Sequence, residues 1–145
     1  MHLAQANVAT MRATYDDPLM NDFLERLDPV NAMADTSPGF VWRLTGDDVD
    51  EYAEKVFGVK RLLFNMSVWE SIESLEEYVF KSGHIDVLRK RNKWFEKPVK
   101  SPFVLWWIKP GHRPSIDQAK TRFDLLWNSG PSPEAFTFSK RFEAL

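Results

Sequence analysis

The chain has no cysteine, so no disulfide, thiolate metal site or cysteine nucleophile is open to it, and folding must rest on packing. Excess charge is lacking as well. Nineteen Lys and Arg against 21 Asp and Glu leave a formal net charge of -2, and the cations are scattered. That removes the electrostatic footprint of a nucleic-acid binder or of a protein drawn to anionic membranes, and neither partner is expected. No stretch approaches 18 consecutive apolar residues, so no membrane span is expected. The opening residues, from Met1 to Ala9, have neither the basic start nor the apolar run of a secretion signal, which makes the cytoplasm the expected compartment. Also missing are a phosphate-binding Gly loop, a Gly-x-Ser-x-Gly elbow and a His-Glu-x-x-His pair. His2 and His112 fall at a strand start and a turn without metal-ligand spacing, so zinc is not expected.

What is present suits one globular domain over residues 1–145, large enough to bury roughly 68 to 70% of its unfolded surface. Six Trp and eleven Phe give it much flat apolar surface to place in a core, a pocket or an interface. Residues 3–9 read as a strand. Asp17-Pro18 opens a helix with Leu19, Phe23 and Leu27 at spacing four; Pro29 is expected to end or restart it, and Ser37-Pro38-Gly39 to turn the chain. Residues 40–44 form a second strand, followed by an acidic surface excursion up to Gly58. Residues 61–69 alternate most clearly: Leu62, Phe64, Met66 and Val68 share one face, and Leu63, Asn65, Ser67 and Trp69 the other.

Ser71 caps a helix with the stripe Ile72, Leu75 and Val79; Gly83 ends it, and a further helix runs from His84 to Phe95. Residues 103–109 are so continuously apolar that both faces of this fourth strand should be covered. Ser115 and Gln118 form a capping box opening a helix with the stripe Ile116, Ala119, Phe123 and Leu126. Gly130-Pro131 stops that helix, and residues 135–138 suit an edge strand.

Strand, helix, strand, strand, helix, strand is the order of the split βαβ, ferredoxin-like plan: an α+β domain with an antiparallel sheet, here carrying an extra C-terminal helix. Helices are expected on one sheet face only. The other face would leave aromatics in water, and pairing with a second copy, sheet to sheet, is the expected remedy.

The runs from Asn65 to Ser71, Gly83-His84, Arg91 to Phe95, Ser37 to Trp42 and Ala135 to Phe138 resemble the bacterial domain family DUF3291, across nearly the whole chain. The resemblance implies a dimeric α/β barrel related to antibiotic-biosynthesis monooxygenases and to the haem-containing spheroidene monooxygenase; the family label itself carries no activity. Some of those monooxygenases share a Trp at the end of the third strand, an Asn four residues before it and a His fifteen residues after it, here Trp69, Asn65 and His84.

A monooxygenase-like enzyme acting on a small aromatic or polyketide-like molecule is therefore one reading. In it Asn65 bonds the substrate oxygen, Trp69 stacks on its ring with Trp42 and Trp94 as further lining, Arg91 or Arg89 steadies negative charge, and His84 accepts the proton. No cofactor is needed in that chemistry, or His84 ligates haem. The other reading is a non-catalytic dimeric domain that holds a small apolar ligand or haem. Ordinary packing also accounts for each residue singly: Asn65 on backbone, Trp69 in the core, the arginines in water.

Overall fold

The computed structural model describes residues 1–80 and 82–144, and the side chains of all of these except 82–84. Four strands, β1 (His2–Thr10), β2 (Phe40–Arg43), β3 (Leu62–Trp69) and β4 (Phe103–Ile108), lie in the order β2-β3-β1-β4 with every neighbouring pair antiparallel. Each helical crossover skips one strand, which is the ferredoxin-like topology expected of this element order. The α+β class follows.

The register sets Leu3 opposite Trp69, Gln5 opposite Ser67 and Asn7 opposite Asn65, so odd-numbered residues of β1 and β3 share one face and even-numbered ones the other. Over the odd face lie α1 (Asn21–Asp35), α3 (Ile72–Val79) and α4 (Ser82–Trp94). Two apolar clusters form there: Leu3, Trp69, Leu105 and Phe136 with α3 and the end of α1, and Met11, Phe23, Trp94 and Phe95 at the other end.

The even face is not bare. Ala4, Met66, Val68, Val104 and Trp106 pack against Ala53 of α2 (Val49–Phe57) and Ile116, Ala119, Phe123 and Leu126 of α5 (Ile116–Ser129). Helices therefore cover both faces, which overturns the expectation of a one-sided sheet, and with it the reason given for pairing sheet to sheet with a second copy. The stretch expected to be a surface excursion is the helix α2. Its apolar residues, Val49, Ala53, Val56 and Phe57, recur at helical spacing among acids, and Gly58 takes the left-handed conformation (φ 70°) that suits a helix end.

Three local expectations also change. Pro29 does not end α1; it sits inside it, exposed, and the helix runs on because both of its halves are anchored, by Phe23 in one cluster and Ala34 in the other. The break between α3 and α4 falls before Ser82, so Gly83 lies in the first turn of α4 and does not end α3. Residues 135–138 add no full strand: Phe136 alone bridges Leu105, through backbone bonds of 2.8 and 2.9 Å. Asp17 caps a 3-10 turn (Pro18–Met20) ahead of α1 and not α1 itself, while the other two predicted caps hold. Ser71 accepts from Ser74 N–H, and Ser115 and Gln118 form the reciprocal box. Gly39 has φ +83°, and a Cβ there would lie 2.1 Å from Ser74 Oγ, so glycine lets the turn before β2 seat against α3.

Candidate functional site

Across the centre of the odd face runs a ladder of polar side chains. The Trp69 indole N–H donates to Ser67 Oγ (2.8 Å), and Gln5 Nε2 donates both to Ser67 Oγ (2.7 Å) and to Asn65 Oδ1 (2.9 Å). Asn7 Nδ2 then donates to Gln5 Oε1 (3.1 Å) and, more distantly, to Asn65 Oδ1 (3.4 Å). Gln5 and Ser67 are buried, while Asn7 and Asn65 are half-buried. One end is thus sealed and the other open. At the open end Asn65 Nδ2 and Asn7 Oδ1 have no side-chain partner among the described residues. Each amide is fixed by the bonds of its other atom, leaving one oriented donor and one oriented acceptor between two apolar clusters.

At the sealed end Trp69 is fully buried. Tyr78 stacks on its ring (centroids 5.2 Å apart, planes 25° apart) and Phe40 meets it edge-on at 5.4 Å. Burial pushes the Tyr78 hydroxyl up to about 12, and that hydroxyl donates to the Val30 carbonyl (3.1 Å).

Of the residues expected at the site, only Asn65 and Trp69 share this ladder. Trp69 cannot stack on a guest, since the chain's own rings occupy its surroundings. Trp42 is on the opposite sheet face: a register shift between Phe40 and Trp42 turns it toward the even-face core, where Arg113 lies over its ring. Trp94 is buried against Phe23 at 5.4 Å, as core and not lining. Arg89 and Arg91 are exposed on α4 and have no ion pair among the described residues. The side chain of His84 lies outside the described residues. Tyr78 and Phe40 fill the space against Trp69, which leaves no room for a haem face beside that ring.

The family model described as a domain of unknown function, DUF3291, matches residues 2–145. The chain belongs to this family. No curated protein matches it by sequence. Among solved structures, a conserved protein from Methanosarcina mazei Go1 aligns over 75% of this chain and 94% of its own, with a TM-score of 0.54 at 8% identity. SnoaB, a cofactor-independent oxygenase from Streptomyces nogalater, aligns over 74% and 93%, with a TM-score of 0.48 at 14% identity. Rv0793 from Mycobacterium tuberculosis aligns over 79% and 100%, with a TM-score of 0.49 at 13% identity. At such identities the likeness speaks to fold alone.

Two members of the ladder, Gln5 and Asn7, were not expected from the sequence. Their signal was available: both are polar, at spacing two, in a strand whose other odd positions, Leu3 and Ala9, are apolar. No described helix is long and apolar enough to cross a membrane.

Proposed function

We propose that this DUF3291 domain binds a small planar molecule that presents a carbonyl or phenolic oxygen to the open end of the amide ladder. One observation carries the reading: Asn65 Nδ2 and Asn7 Oδ1 are held in place yet unpaired among the described residues, at a half-buried spot flanked by apolar clusters. Polar groups placed this way fix the orientation of a guest while apolar walls supply affinity. The test is isothermal titration with isoquinolin-1-one, a flat cyclic amide, against the wild-type chain and Asn65→Ala. Binding that Asn65→Ala weakens about tenfold or more is expected; binding indifferent to Asn65 would refute the reading.

Cofactor-free oxidation at the same place is a second reading, favoured by the free Asn65 donor, which suits the oxyanion of a bound phenolate. With 1,4-dihydroxynaphthalene the reaction balances as quinol plus dioxygen giving 2-hydroxy-1,4-naphthoquinone plus water, the ring C–H becoming C–OH. Oxygen uptake with this quinol, lost in Asn65→Ala, supports oxidation. Uptake no faster than without protein leaves binding as the function. Neither reading routes a step through haem; a Soret band from the purified protein would favour haem instead.

A further inference from the structure

The open end of the ladder has a neighbour from the far end of the chain. Asn7 pairs with Phe103 across β1 and β4, so the amide and the ring stand side by side on the odd face. On Phe103 lies Phe138, nearly parallel, with centroids 5.0 Å apart and planes 20° apart. Both rings are half-buried.

The C-terminal strap that carries Phe138 is anchored on either side of it. Upstream, Phe136 is buried and bonded to Leu105 through both backbone groups. Downstream, the Trp107 indole N–H donates to the Phe142 carbonyl (2.8 Å) and Arg141 pairs with Glu76. Between these anchors residues 137–140 make a tight turn closed by a 3.3 Å backbone bond, Lys140 N–H to Thr137 carbonyl. No described backbone bond ties Phe138 to the sheet; its carbonyl accepts from Arg141 Nε within the strap. Its place on Phe103 therefore rests on side-chain contacts, the stack on Phe103 and the Arg141 guanidinium 5.6 Å from its ring centre; a stack of this kind shifts an equilibrium by roughly two- to tenfold. A second aromatic ring making the same contact could replace it.

We propose that Phe138 is a placeholder: its ring occupies the position on Phe103 that a guest ring takes, and binding swings it aside. The guest class then narrows to planar rings with a carbonyl next to an N–H or O–H on one edge. The carbonyl accepts from Asn65 Nδ2, the N–H or O–H donates to Asn7 Oδ1, and the ring lies on Phe103. This rests on the binding reading above and adds the edge that is read and the residue that competes for the slot.

Isoquinolin-1-one and its N-methyl derivative, titrated into wild type, Phe138→Ala and Phe138→Leu, test it. Both variants are expected to bind isoquinolin-1-one roughly two- to tenfold more tightly than wild type, because no ring has to be displaced. N-methylation should cost about tenfold in all three. Backbone hydrogen exchange over residues 138–141 should quicken when wild type is saturated. Affinity that Asn65→Ala weakens but the Phe138 variants leave unchanged or lower, or exchange that slows on binding, overturns the placeholder alone. No binding by any variant overturns the binding reading together with it.

Discussion

The amino group of Gln5 donates to two residues of β3 at once, Asn65 at 2.9 Å and Ser67 at 2.7 Å, while its carbonyl takes the Asn7 amide. A buried polar group is inexpensive when every partner is in place and costly when one is withdrawn. Gln5→Leu should therefore destabilise the fold by about 2–3 kcal/mol in urea denaturation, since it withdraws one donor from each of Ser67 and Asn65 and the acceptor from Asn7, leaving Ser67 with Trp69 alone among the described residues. Asn7→Ala, at the solvated end, should cost less than about 1 kcal/mol. Equal costs would mean that water reaches Gln5 as readily as Asn7.

Trp69 and Asn65 are expected to separate by what they disturb. Trp69→Phe keeps an aromatic ring near Tyr78 but loses both the N–H to Ser67 and part of the indole's buried volume, so a loss of about 1–3 kcal/mol is expected. Trp69→Ala opens a cavity in a fully buried position and should cost about 3–5 kcal/mol. Asn65→Ala should leave the melting temperature within a few degrees of wild type while weakening guest binding about tenfold or more. A Trp69→Ala protein that melts like wild type would contradict the packing described.

Tyr78 gives the fold an alkaline limit. Its pKa stands at about 12, raised first by burial, whereas an unfolded tyrosine titrates near 10. Above pH ~10 the unfolded chain releases this proton and the native chain keeps it, so stability is full below pH ~10 and declines between about 10 and 12. Tyr15, bonded to Asp50 and also raised by burial, acts in the same direction. Tyr78→Phe should flatten part of that decline, measured as urea midpoints at pH 9, 10 and 11.

Pro29 interrupts one backbone bond within α1 at an exposed position, so Pro29→Ala should stabilise the protein by about 1–3 kcal/mol. An unchanged or lower thermal midpoint would imply that the ring makes a contact the helix depends on.

How far the fold could be read from the chain depended on whether the signal was local. The alternation of β3, the capping box at Ser115 and the stripe of α5 are short-range patterns, and each appears where the residues imply. The helix α2 was equally local, but its many acids masked the Val49, Ala53, Val56, Phe57 spacing. Trp42 went astray for a different reason: a register shift changes which face a side chain takes, and no residue type in Phe40-Val41-Trp42 marks the shift. The ladder itself joins residues about 60 positions apart, and which polar groups meet at that separation is decided by strand register. Asn65 and Trp69 were recognisable as a pair. That Trp69 would be sealed and Asn65 left open depended on Tyr78 and Phe40, which tertiary packing supplies.

With α2 and α5 closing its second side, the sheet completes its hydrophobic interior from a single polypeptide. A sheet covered this way does not call for a second copy to shield that face, so the melting temperature is expected to hold steady across a hundredfold dilution, where an obligate pair would melt earlier as it was thinned out.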